Sequence, residues 1–471
     1  VFGDEFCTNI AFLYNNGDAD NALFTSAELN FPNAGNPIDY FIYPGLFLED
    51  VNFDGRKDLL SSPGVFENFG LGVNFKRSSY LYLNDGVTGV EAFNIFQTDG
   101  FLQERMIELG ENATPLFLDI DGDGDEDMVV GNRGNREGST FYATYVHFDN
   151  IGTSQTPQFV VASDDYLGLS ALQLNSLKPS FGDLDGDGRK DLIFSAANGS
   201  GQTNVYYLLN NTSQGFDPIS TTPEILSFNI QAGDHPHFVD LDADGKADLL
   251  LGKRTGRLEY WQNNSSGGNF SFELVNEEVA GIIDDSFRRE LAPLASDLNG
   301  DTALELITTD ATGVMRVYQG FLEASETNPA QIHDLLIEPV EGENRVRSRW
   351  GRGATLASAN LGSTLPHLVV GSKMGGLFLL ENLSLPGNGN GGSEFAMELF
   401  PNPGVELVTL SGNQSFTYRI YNSLGQLIFG DPLGPGTQLV RFDSRILAPG
   451  IYFVNGISES GASDVKRLII P

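Results

Sequence analysis

The hydrophobic positions of this chain fall in short runs of strand length. The apolar run Asp248–Gly252 predicts a buried strand, and residues 257–263 and 269–275 alternate between apolar and polar side chains as half-exposed strands do. A short segment, 237–240, leads into an acidic loop that precedes the apolar run. Four short antiparallel strands thus form one unit, which recurs at intervals of 57 to 69 residues. Such a unit cannot bury its own apolar faces, so we expect an all-β chain of stacked units.

The third strands of other units follow the same pattern and end in a polar turn. They span residues 79–84, 205–210, 314–319 and 377–382. At the N-terminus, residues 10–15 and 22–28 predict a third and a fourth strand, and residues 1–4 resemble the end of a second strand. The pattern therefore predicts that the printed sequence opens in the middle of a unit.

An acidic phrase, D-x-[DN]-x-D-G-x-x-D in its best copies, separates the first two strands of a unit. Copies begin at Asp50, Asp119, Asp183, Asp240 and Asp297, with an eroded sixth copy at Ser358. Oxygen donors at positions 1, 3, 5 and 9, with a backbone carbonyl near position 7, suit one hard cation. Ca²⁺ binds six to eight oxygens at about 2.3 to 2.6 Å in irregular geometry, whereas Mg²⁺ demands a tight octahedron. The phrase therefore predicts about five structural Ca²⁺ sites.

The predicted side-chain ligands follow the phrase position by position. They are Asp50, Asn52, Asp54 and Asp58; Asp119, Asp121, Asp123 and Asp127; Asp183, Asp185, Asp187 and Asp191; Asp240, Asp242, Asp244 and Asp248; and Asp297, Asn299, Asp301 and Glu305. The sixth copy keeps only Ser358 and Asn360 as oxygen donors and has His367 at its last position, so we expect no ion there.

Two other structures could account for an acidic phrase of this kind. An EF-hand needs a Glu at position 12 and flanking helices, but position 12 here is Val130, Phe194 or Leu251, and the flanks alternate like strands. Acidic turns without a metal remain open as the second alternative. They are disfavoured because four carboxylates within nine residues repel one another without a cation.

The composition of the chain limits the kinds of molecule it can bind and the ways in which it can be stabilised. The formal net charge of the 471-residue chain is −36, so nucleic acid and anionic membranes are not natural partners, even after five Ca²⁺ ions are added. Cys7 is the only cysteine, which excludes an internal disulfide, and no apolar run reaches the length of a membrane span. Metal ions that bind only the folded state would stabilise the chain in place of disulfide bonds.

Residues 1–383 resemble the FG-GAP or VCBS repeats of integrin-type β-propellers. The resemblance rests on the acidic phrase and the strands around it, and it implies that calcium loops join the first and second strands of each blade. Six anchored units and an incomplete N-terminal unit imply seven blades. Six blades would result if the N-terminal strands complete the last unit, which lacks a clear fourth strand after Asn382.

Residues 384–394 form a Gly- and Asn-rich linker, and residues 395–471 predict a small antiparallel β-sandwich. The PNP opening at 401–403, the YNSLGQ turn at 421–426, the LAPGIY strand at 447–452 and the basic-then-apolar end at 466–470 closely resemble the type A C-terminal sorting domain of the type IX secretion system. The resemblance implies export across the outer membrane, with an outer-membrane shuttle barrel, a translocon and a sortase as partners. It also implies cleavage in the linker and a mature protein that is extracellular or attached to the cell surface.

Lysine and arginine are scarce in this chain, and outside the acidic loops and the C-terminal domain most of them lie in two kinds of segment. These are the connections between second and third strands and the segments before first strands. Because strand direction alternates in an antiparallel sheet, both kinds of connection lie at the end of the sheet opposite the acidic loops. We therefore predict that this basic face binds an anionic ligand such as an acidic polysaccharide, although pairing of the cations with local acids stays open. The candidate ligand-binding residues are Arg288, Arg289, Arg345, Arg347, Arg349, Trp350 and Arg352.

The sequence contains no recognisable catalytic motif: H-E-x-x-H, G-x-S-x-G and a phosphate loop are all missing. We therefore predict no catalytic residues and a secreted, calcium-binding adhesion or binding module. The alternative is an extracellular glycosidase or lyase, or the propeller part of a larger enzyme. Its candidate groups would be the acid pairs 164–165 and 284–285, or His235 and His237 on a metal.

Overall fold

The protein is described by a computed structural model. The described residues are 2–3, 10–18, 20–32, 38, 44–64, 76, 79–86, 92–93, 95–97, 107, 109–137, 140–324, 331–333, 336–340, 343–347, 349–362, 365–382, 397–400, 404, 407–422, 426–431, 437–458 and 463–470. Helical structure in them includes the short 3-10 segments Tyr166–Leu172, Val279–Gly281 and Ser444–Ile446, and no helix among the described residues could cross a membrane.

Seven small antiparallel sheets of three or four strands and two separate hairpins occupy the described residues before 383. Sheet 1 contains β1 (Phe2–Gly3), β2 (Ile10–Asn15) and β3 (Phe24–Phe31). Sheet 2 contains β4 (Pro44–Glu49), β5 (Asp58–Pro63), β6 (Tyr80–Leu83) and β7 (Ile95–Gln97). Sheet 3 begins with β8 (Thr114–Leu118) and β9 (Asp127–Gly131), is interrupted by the hairpin of β10 (Asn135–Glu137) and β11 (Thr140–Tyr142), and ends with β12 (Val146–Asn150) and β13 (Phe159–Ser163). Sheet 4 contains β14 (Asn175–Gly182), β15 (Asp191–Ala197), β16 (Thr203–Leu208) and β17 (Glu224–Leu226).

The next sheets repeat this order. Sheet 5 contains β18 (His235–Val239), β19 (Asp248–Gly252), β20 (Leu258–Asn263) and β21 (Phe272–Asn276). Sheet 6 contains β22 (Ala292–Ser296), β23 (Glu305–Thr309), β24 (Arg316–Gln319) and β25 (Gln331–His333). A separate hairpin pairs β26 (Leu336–Val340) with β27 (Glu343–Arg347). Sheet 7 contains β28 (Thr355–Ala359), β29 (His367–Gly371) and β30 (Leu377–Leu380).

Burial falls from the second strand of a sheet to the fourth. The second strands β9, β19 and β29 are buried along their whole length, as their apolar runs predict. The fourth strands β13 and β21 expose most of their side chains. A strand that is buried on both faces needs a neighbouring sheet on each side, which is why the units cannot exist singly.

The first strands of sheets 3 to 7 contact one another in a closed cycle, in the order β8, β14, β18, β22, β28 and back to β8. Threonine hydroxyls donate to backbone carbonyls across three of these seams: Thr114 to Leu177 (2.8 Å), Thr309 to Ala354 (2.6 Å) and Thr355 to Ala113 (2.7 Å). The last bond joins residues 242 positions apart and closes the cycle. We call these five sheets the ring. Among the described residues the cycle contains five sheets; the blade count of seven or six that the sequence pattern predicts stays a prediction.

Glycines at the ends of second strands allow the sheets of the ring to approach closely. A Cβ atom on Gly252 would lie 2.1 Å from the Leu291 carbonyl oxygen, and one on Gly371 would lie 2.0 Å from the Ala113 oxygen. No side chain fits at either seam, so these positions require glycine for packing rather than for an unusual backbone angle.

Sheets 1 and 2 have a hydrophobic core of their own. Ile10 and Phe31 from sheet 1 pack with Leu59 and Tyr82 from sheet 2, and no ring residue belongs to this cluster. Strand β2 pairs with β1 and β3. The expectation that the N-terminal strands complete sheet 7 is therefore wrong, because their apolar faces are covered by sheet 2 instead.

The C-terminal residues form one connected sheet of six strands. They are β31 (Met397–Phe400), β32 (Leu407–Asn422), β33 (Leu427–Asp431), β34 (Thr437–Asp443), β35 (Gly450–Ser458) and β36 (Ser463–Ile470). The long β32 pairs with β31 and β34 through its first half and with β33 and β35 through its second half. Both halves contribute to one core, which includes Val408 and Ile420. The predicted linker, 384–394, lies outside the described residues.

Candidate functional site

The five intact acidic loops occupy equivalent places in sheets 2 to 6. Each joins the first strand of its sheet to the second, as the family resemblance implies. The carboxylate at loop position 9 is the first residue of the second strand. These residues, Asp58, Asp127, Asp191, Asp248 and Glu305, are at most 4% exposed. The loops therefore present one buried carboxylate beneath several exposed ones.

One hydrogen-bond pattern shapes all five loops. The carboxylate at position 1 accepts the N–H of position 6 at 2.7 to 3.1 Å. The oxygen at position 3 accepts the N–H of position 5, and the position 5 carboxylate accepts the N–H of position 7. The buried carboxylate at position 9 accepts the N–H of position 2. These bonds curl the backbone so that the acidic side chains share one concave side.

The backbone is left-handed at positions 4 and 6 of each loop. Position 6 is Gly in four copies and Thr302 in the fifth (φ 74°). The left-handed residue at position 4 was missed by sequence reasoning, because Phe53 (φ 60°) and Ala243 (φ 61°) stand there in two copies. Such residues rarely adopt this conformation, so the loop bonds must outweigh a local strain of about 1 kcal/mol or more.

Three of the loops bring three carboxylates together. Among the described residues, groups of candidate ligand oxygens within 4.8 Å of one another occur at positions 1, 3 and 9. The groups are Asp119, Asp121 and Asp127; Asp183, Asp185 and Asp191; and Asp240, Asp242 and Asp248. Oxygen-rich groups with one buried member fit a hard cation such as Ca²⁺.

The carboxylate at position 5 is also a predicted ligand, but it is engaged by a neighbouring cation in three loops. Asp54 pairs with Arg56 at 2.6 Å, Asp244 pairs with Lys246 at 2.9 Å, and Asp187 pairs with Arg189. In each pair the cation stands at position 7, two residues along. This carboxylate must exchange its partner before it can contact a metal.

Burial and mutual repulsion disturb the acidity of the loops. Burial raises the pKa of Asp191 to about 7 and that of Glu305 to about 7, against the opposing effect of their backbone hydrogen bonds. Burial is also the main cause of the raised pKa of Asp127 and Asp248, and neighbouring carboxylates add to it in all four cases. A bound cation would reverse this effect, because it favours the ionised form.

The loops at Asp50 and Asp297 fit a cation less well. Asparagine replaces the acid at position 3, and Asn299 donates its amide N–H to Glu305 at 2.9 Å while Asn52 donates to Asp54 at 3.2 Å. Each loop can still offer the carboxylates of positions 1 and 9. We therefore rank these two predicted sites below the other three.

An asparagine at the end of the third strand is a partner of the loop that sequence reasoning missed. The backbone N–H groups of Asn84, Asn150, Asn210 and Asn263 each donate to the position 9 carboxylate of their own sheet, at 2.7 to 2.8 Å. The recurrent polar residue that ends these strands was the available signal. In sheet 5, the Asn263 side chain also donates to the Leu184 carbonyl of the preceding sheet (3.0 Å) and so ties two acidic loops together.

The eroded sixth copy keeps this frame without the acids. His367 begins β29, and its Nδ1 accepts the Asn382 N–H at 3.0 Å, in the place of the carboxylate. Ser358 lies within β28, and the N–H of Asn360 donates to Glu126 of sheet 3 at 2.7 Å. The loop is held by protein contacts across the closing seam.

The predicted ligand-binding cations have different surroundings. Arg288 contacts Asp310 (3.0 Å) and the Tyr318 hydroxyl (3.0 Å), Arg352 pairs with Glu290 (2.8 Å), and Arg289 and Arg349 are exposed. The side chains of Arg345 and Arg347 lie outside the described residues. Trp350 is only 5% exposed and packs against Phe378 and the core between sheets 6 and 7, so its predicted place on a ligand surface is wrong.

Two acids of the enzyme alternative have structural partners, whereas Nε2 of His237 is buried without a hydrogen bond. Asp165 accepts from the backbone and hydroxyl of Ser170, and Asp284 accepts from Thr255 and Arg257. His235 and His237 lie on β18, where burial lowers the pKa of His237 to about 4 and that of His235 well below its ordinary value. No metal-type group containing either histidine occurs in the part of the chain that the structure describes.

Comparison with known families identifies two parts of the chain. Residues 183–251, which contain two of the three carboxylate groups, match the FG-GAP-like repeat. Residues 398–471 match the secretion system C-terminal sorting domain. The C-terminal sheet is a sorting domain. It directs the chain through the type IX secretion system to the extracellular space or the cell surface. The sorting-domain turn is braced by Asn422, whose side-chain oxygen accepts the Gln426 N–H at 3.0 Å.

Comparison with curated proteins finds no match. Among solved structures, an Agrocybe aegerita lectin that recognises non-reducing terminal N-acetylglucosamine is 14% identical, with 86% of each chain covered and a TM-score of 0.29. A protein described as the extracellular domain of a one-component system from B. thetaiotaomicron is 11% identical, with 94% of this chain and 71% of that chain covered and a TM-score of 0.20. Neither similarity carries an argument about this protein.

Proposed function

We propose that the ring is a five-bladed β-propeller stabilised by calcium, and that the exported protein is a non-catalytic binding module. The observation that carries the proposal is the convergence of three carboxylates in each of three loops that share one hydrogen-bond frame. The sorting domain places this module outside the cell, where calcium is available at the concentrations that extracellular sites require.

Calcium would have a structural role here and not a catalytic one. Each loop links the first strand of a blade, which contacts the neighbouring blades, to the buried second strand. A cation at the loop would neutralise carboxylates that otherwise repel one another, and it would bind only where the fold has assembled them. Binding to the folded state alone adds about 2.7 kcal/mol for each site at a calcium concentration of 100 Kd.

Metal content and thermal unfolding, measured with and without chelator, test this proposal. We expect about three tightly held Ca²⁺ ions per chain and a lower unfolding temperature after chelation. Asp185→Asn should remove one ion, whereas Asp217→Asn, outside the acidic loops, should remove none. A protein that carries no calcium after dialysis against millimolar calcium, or whose unfolding ignores chelator, would contradict the metal assignment.

The binding role follows from what the described residues offer. Asp165 and Asp284 of the enzyme alternative are bound to structural partners, and no metal-type group among the described residues contains His235 or His237, so no observation favours catalysis over binding. A screen of the full chain for depolymerisation of acidic and neutral glycans is the direct check. Release of reducing ends above that of a boiled sample would refute the non-catalytic assignment.

A further inference from the structure

The ring has two chemically different ends. Acidic loops lie at one end of the second strands, and the turns to the third strands lie at the other. At this second end, segments before the first strands bond to those turns: the Asn112 N–H donates to the Lys373 carbonyl (3.0 Å) and the Glu290 N–H donates to the Arg254 carbonyl (3.0 Å). The end opposite the acidic loops is therefore built from two sets of connections, as their placement along the chain predicts.

Polar residues from several sheets meet where the first strands begin. Arg352 contacts Glu290 with two guanidinium nitrogens, at 2.8 and 3.2 Å. A Cβ atom on the neighbouring Gly353 would lie 3.7 Å from the Lys373 side chain and 3.8 Å from Asn112 Oδ1. Lys178, on the first strand of sheet 4, donates to the Asp234 carbonyl at 2.7 Å. We call Asn112, Lys178, Glu290, Arg352 and Lys373 the axial cluster, because the first strands surround the axis of the ring.

The charges of the axial cluster act on one another. Burial pushes the pKa of Glu290 upward, but the hydrogen bond and charge of Arg352 and the charges of Lys373 and Lys178 outweigh it and hold that pKa below its ordinary value. Arg352 contacts this carboxylate and the charges of Lys373 and Lys178 also act on it, so the five residues of the axial cluster together carry a net positive charge in a chain whose formal net charge is −36. Nearby Asp234 is already paired with Lys253 at 2.8 Å.

The cluster also contains acceptors. Asn112 Oδ1 is covered by protein but has no hydrogen-bond partner, which is costly unless a ligand or water donates to it. Glu290, which is bound to Arg352, offers carboxylate oxygens as well. A ligand matched to this set carries a negative charge for the lysines and arginine and O–H donors for the two acceptors. Inorganic phosphate carries its few O–H donors on the charged group itself, whereas a sugar acid carries a carboxylate and separate hydroxyl donors on one ring.

We propose that the axial cluster binds the carboxylate and neighbouring hydroxyls of an acidic saccharide unit. Lys373 and Arg352 contact the carboxylate, and Glu290 and Asn112 accept from hydroxyl groups. This inference rests on the proposed binding role. It moves the ligand contact from the segment 345–350 to the axis, where residues from different blades converge only after the ring has closed.

Calorimetric titration of the full chain in millimolar calcium tests the proposal. The probe is a galacturonic acid trisaccharide, with neutral galactotriose and inorganic phosphate as comparison ligands. We expect saturable binding of the acidic trisaccharide, weakening with added salt, and at least tenfold weaker binding of both comparison ligands. Lys373→Ala should weaken binding about tenfold or more, because it removes a hydrogen bond to a charged group.

Arg257→Ala is the matched control, since Arg257 lies at the same end of the ring but pairs with Asp284 outside the cluster (2.6 Å). It should leave the affinity within twofold of the wild type. Glu290→Gln keeps the shape of the side chain and should weaken the acidic trisaccharide less than Lys373→Ala. Tryptophan fluorescence melting of each variant verifies folding before titration.

Several results would overturn the proposal. They are no binding by folded wild-type protein, equal binding of galactotriose or phosphate, and equal losses in Arg257→Ala and Lys373→Ala. Metal content measured on the same samples distinguishes failure of the axial-site proposal from failure of the calcium proposal. If protein that contains calcium does not bind the trisaccharide, only the axial-site proposal is refuted. If protein that contains no calcium binds the trisaccharide, only the proposal of stabilising calcium sites is refuted.

Discussion

Asp248→Asn is the most informative single change, because Asp248 combines a structural and a proposed metal role. The side chain is fully buried at the start of β19. Its Oδ1 accepts the Asn263 N–H at 2.7 Å, and its Oδ2 accepts the Leu241 N–H at 3.2 Å and the Tyr260 hydroxyl at 3.1 Å. Asparagine has nearly the same shape, so the substitution changes hydrogen bonding and charge without opening a cavity.

The magnitude follows from counting donors. The asparagine oxygen can keep the bond to the Asn263 N–H, but its amide nitrogen then faces the Leu241 N–H, and two donors cannot bond. One buried backbone N–H loses its partner, at a cost of about 1 to 3 kcal/mol. The Tyr260 hydroxyl can rotate to accept from the new amide, so we assign it no loss. Removal of a buried charge that its surroundings disfavour offsets part of this cost. Without calcium, Asp248→Asn should therefore be less stable than the wild type by no more than about 1 to 3 kcal/mol.

Asp244→Asn is the matched comparison in the same loop. Asp244 lies near the surface and pairs with Lys246, so without calcium its loss should cost no more than about 0.5 kcal/mol. With calcium, both variants lose an anionic ligand. The two substitutions thus separate the buried hydrogen bonds of the loop, which depend on Asp248, from the metal, which would use both side chains. Asn at position 244 can still accept the Lys246 N–H through its side-chain oxygen.

Urea unfolding followed by tryptophan fluorescence is the suitable assay. The only two tryptophans are Trp261 in sheet 5 and Trp350 beside sheet 7, so the signal reports the ring and not the sorting domain. Each variant is measured in chelator and in millimolar calcium. If Asp248→Asn matches the wild type in chelator, or if Asp244→Asn is equally destabilised there, the hydrogen-bond argument is refuted. If calcium stabilises all three proteins equally, this loop holds no ion.

Three further predictions address the ring and the tail. Gly371→Ala should lower ring stability by about 1 to 3 kcal/mol, because its Cβ would overlap the Ala113 carbonyl, whereas Gly376→Ala, with no atom closer than 3.8 Å, should be near neutral in the same urea assay. Burial lowers the pKa of Lys178 to about 8, so the folded protein binds fewer protons than the unfolded chain between pH 8 and 10.5, and stability should rise over that window. Lys178→Met should lose this rise, and an unchanged slope would contradict the assignment. Removal of residues 398–471 should leave the protein inside the cell when culture medium and cell fractions are immunoblotted, and undiminished export would contradict the role of the tail.

Much of the candidate site could be predicted from sequence because it is local. The nine-residue phrase places the ligands, and the apolar run after it places the buried strand that begins with Asp191 or Asp248. The ion pairs of Asp54 and Asp187 with the arginines two residues along could not be predicted from the pattern. The phrase fixes the order of the residues but not the direction in which each side chain points. Trp350 was assigned to a surface because it lies among arginines, yet tertiary packing buries it.

The sequence by itself determined the strand units, the acidic loops between first and second strands, and the sorting domain at the C-terminus. These features depend on residues within one unit, where alternation, turns and ligand spacing act over a few positions. Only the tertiary structure decided how many sheets close the ring, and which cations meet at its axis. Closure depends on contacts such as that of Thr355 with Ala113, 242 positions apart, and on the absence of a side chain at Gly371. No local pattern encodes such a contact, because it forms only when distant units already share a seam.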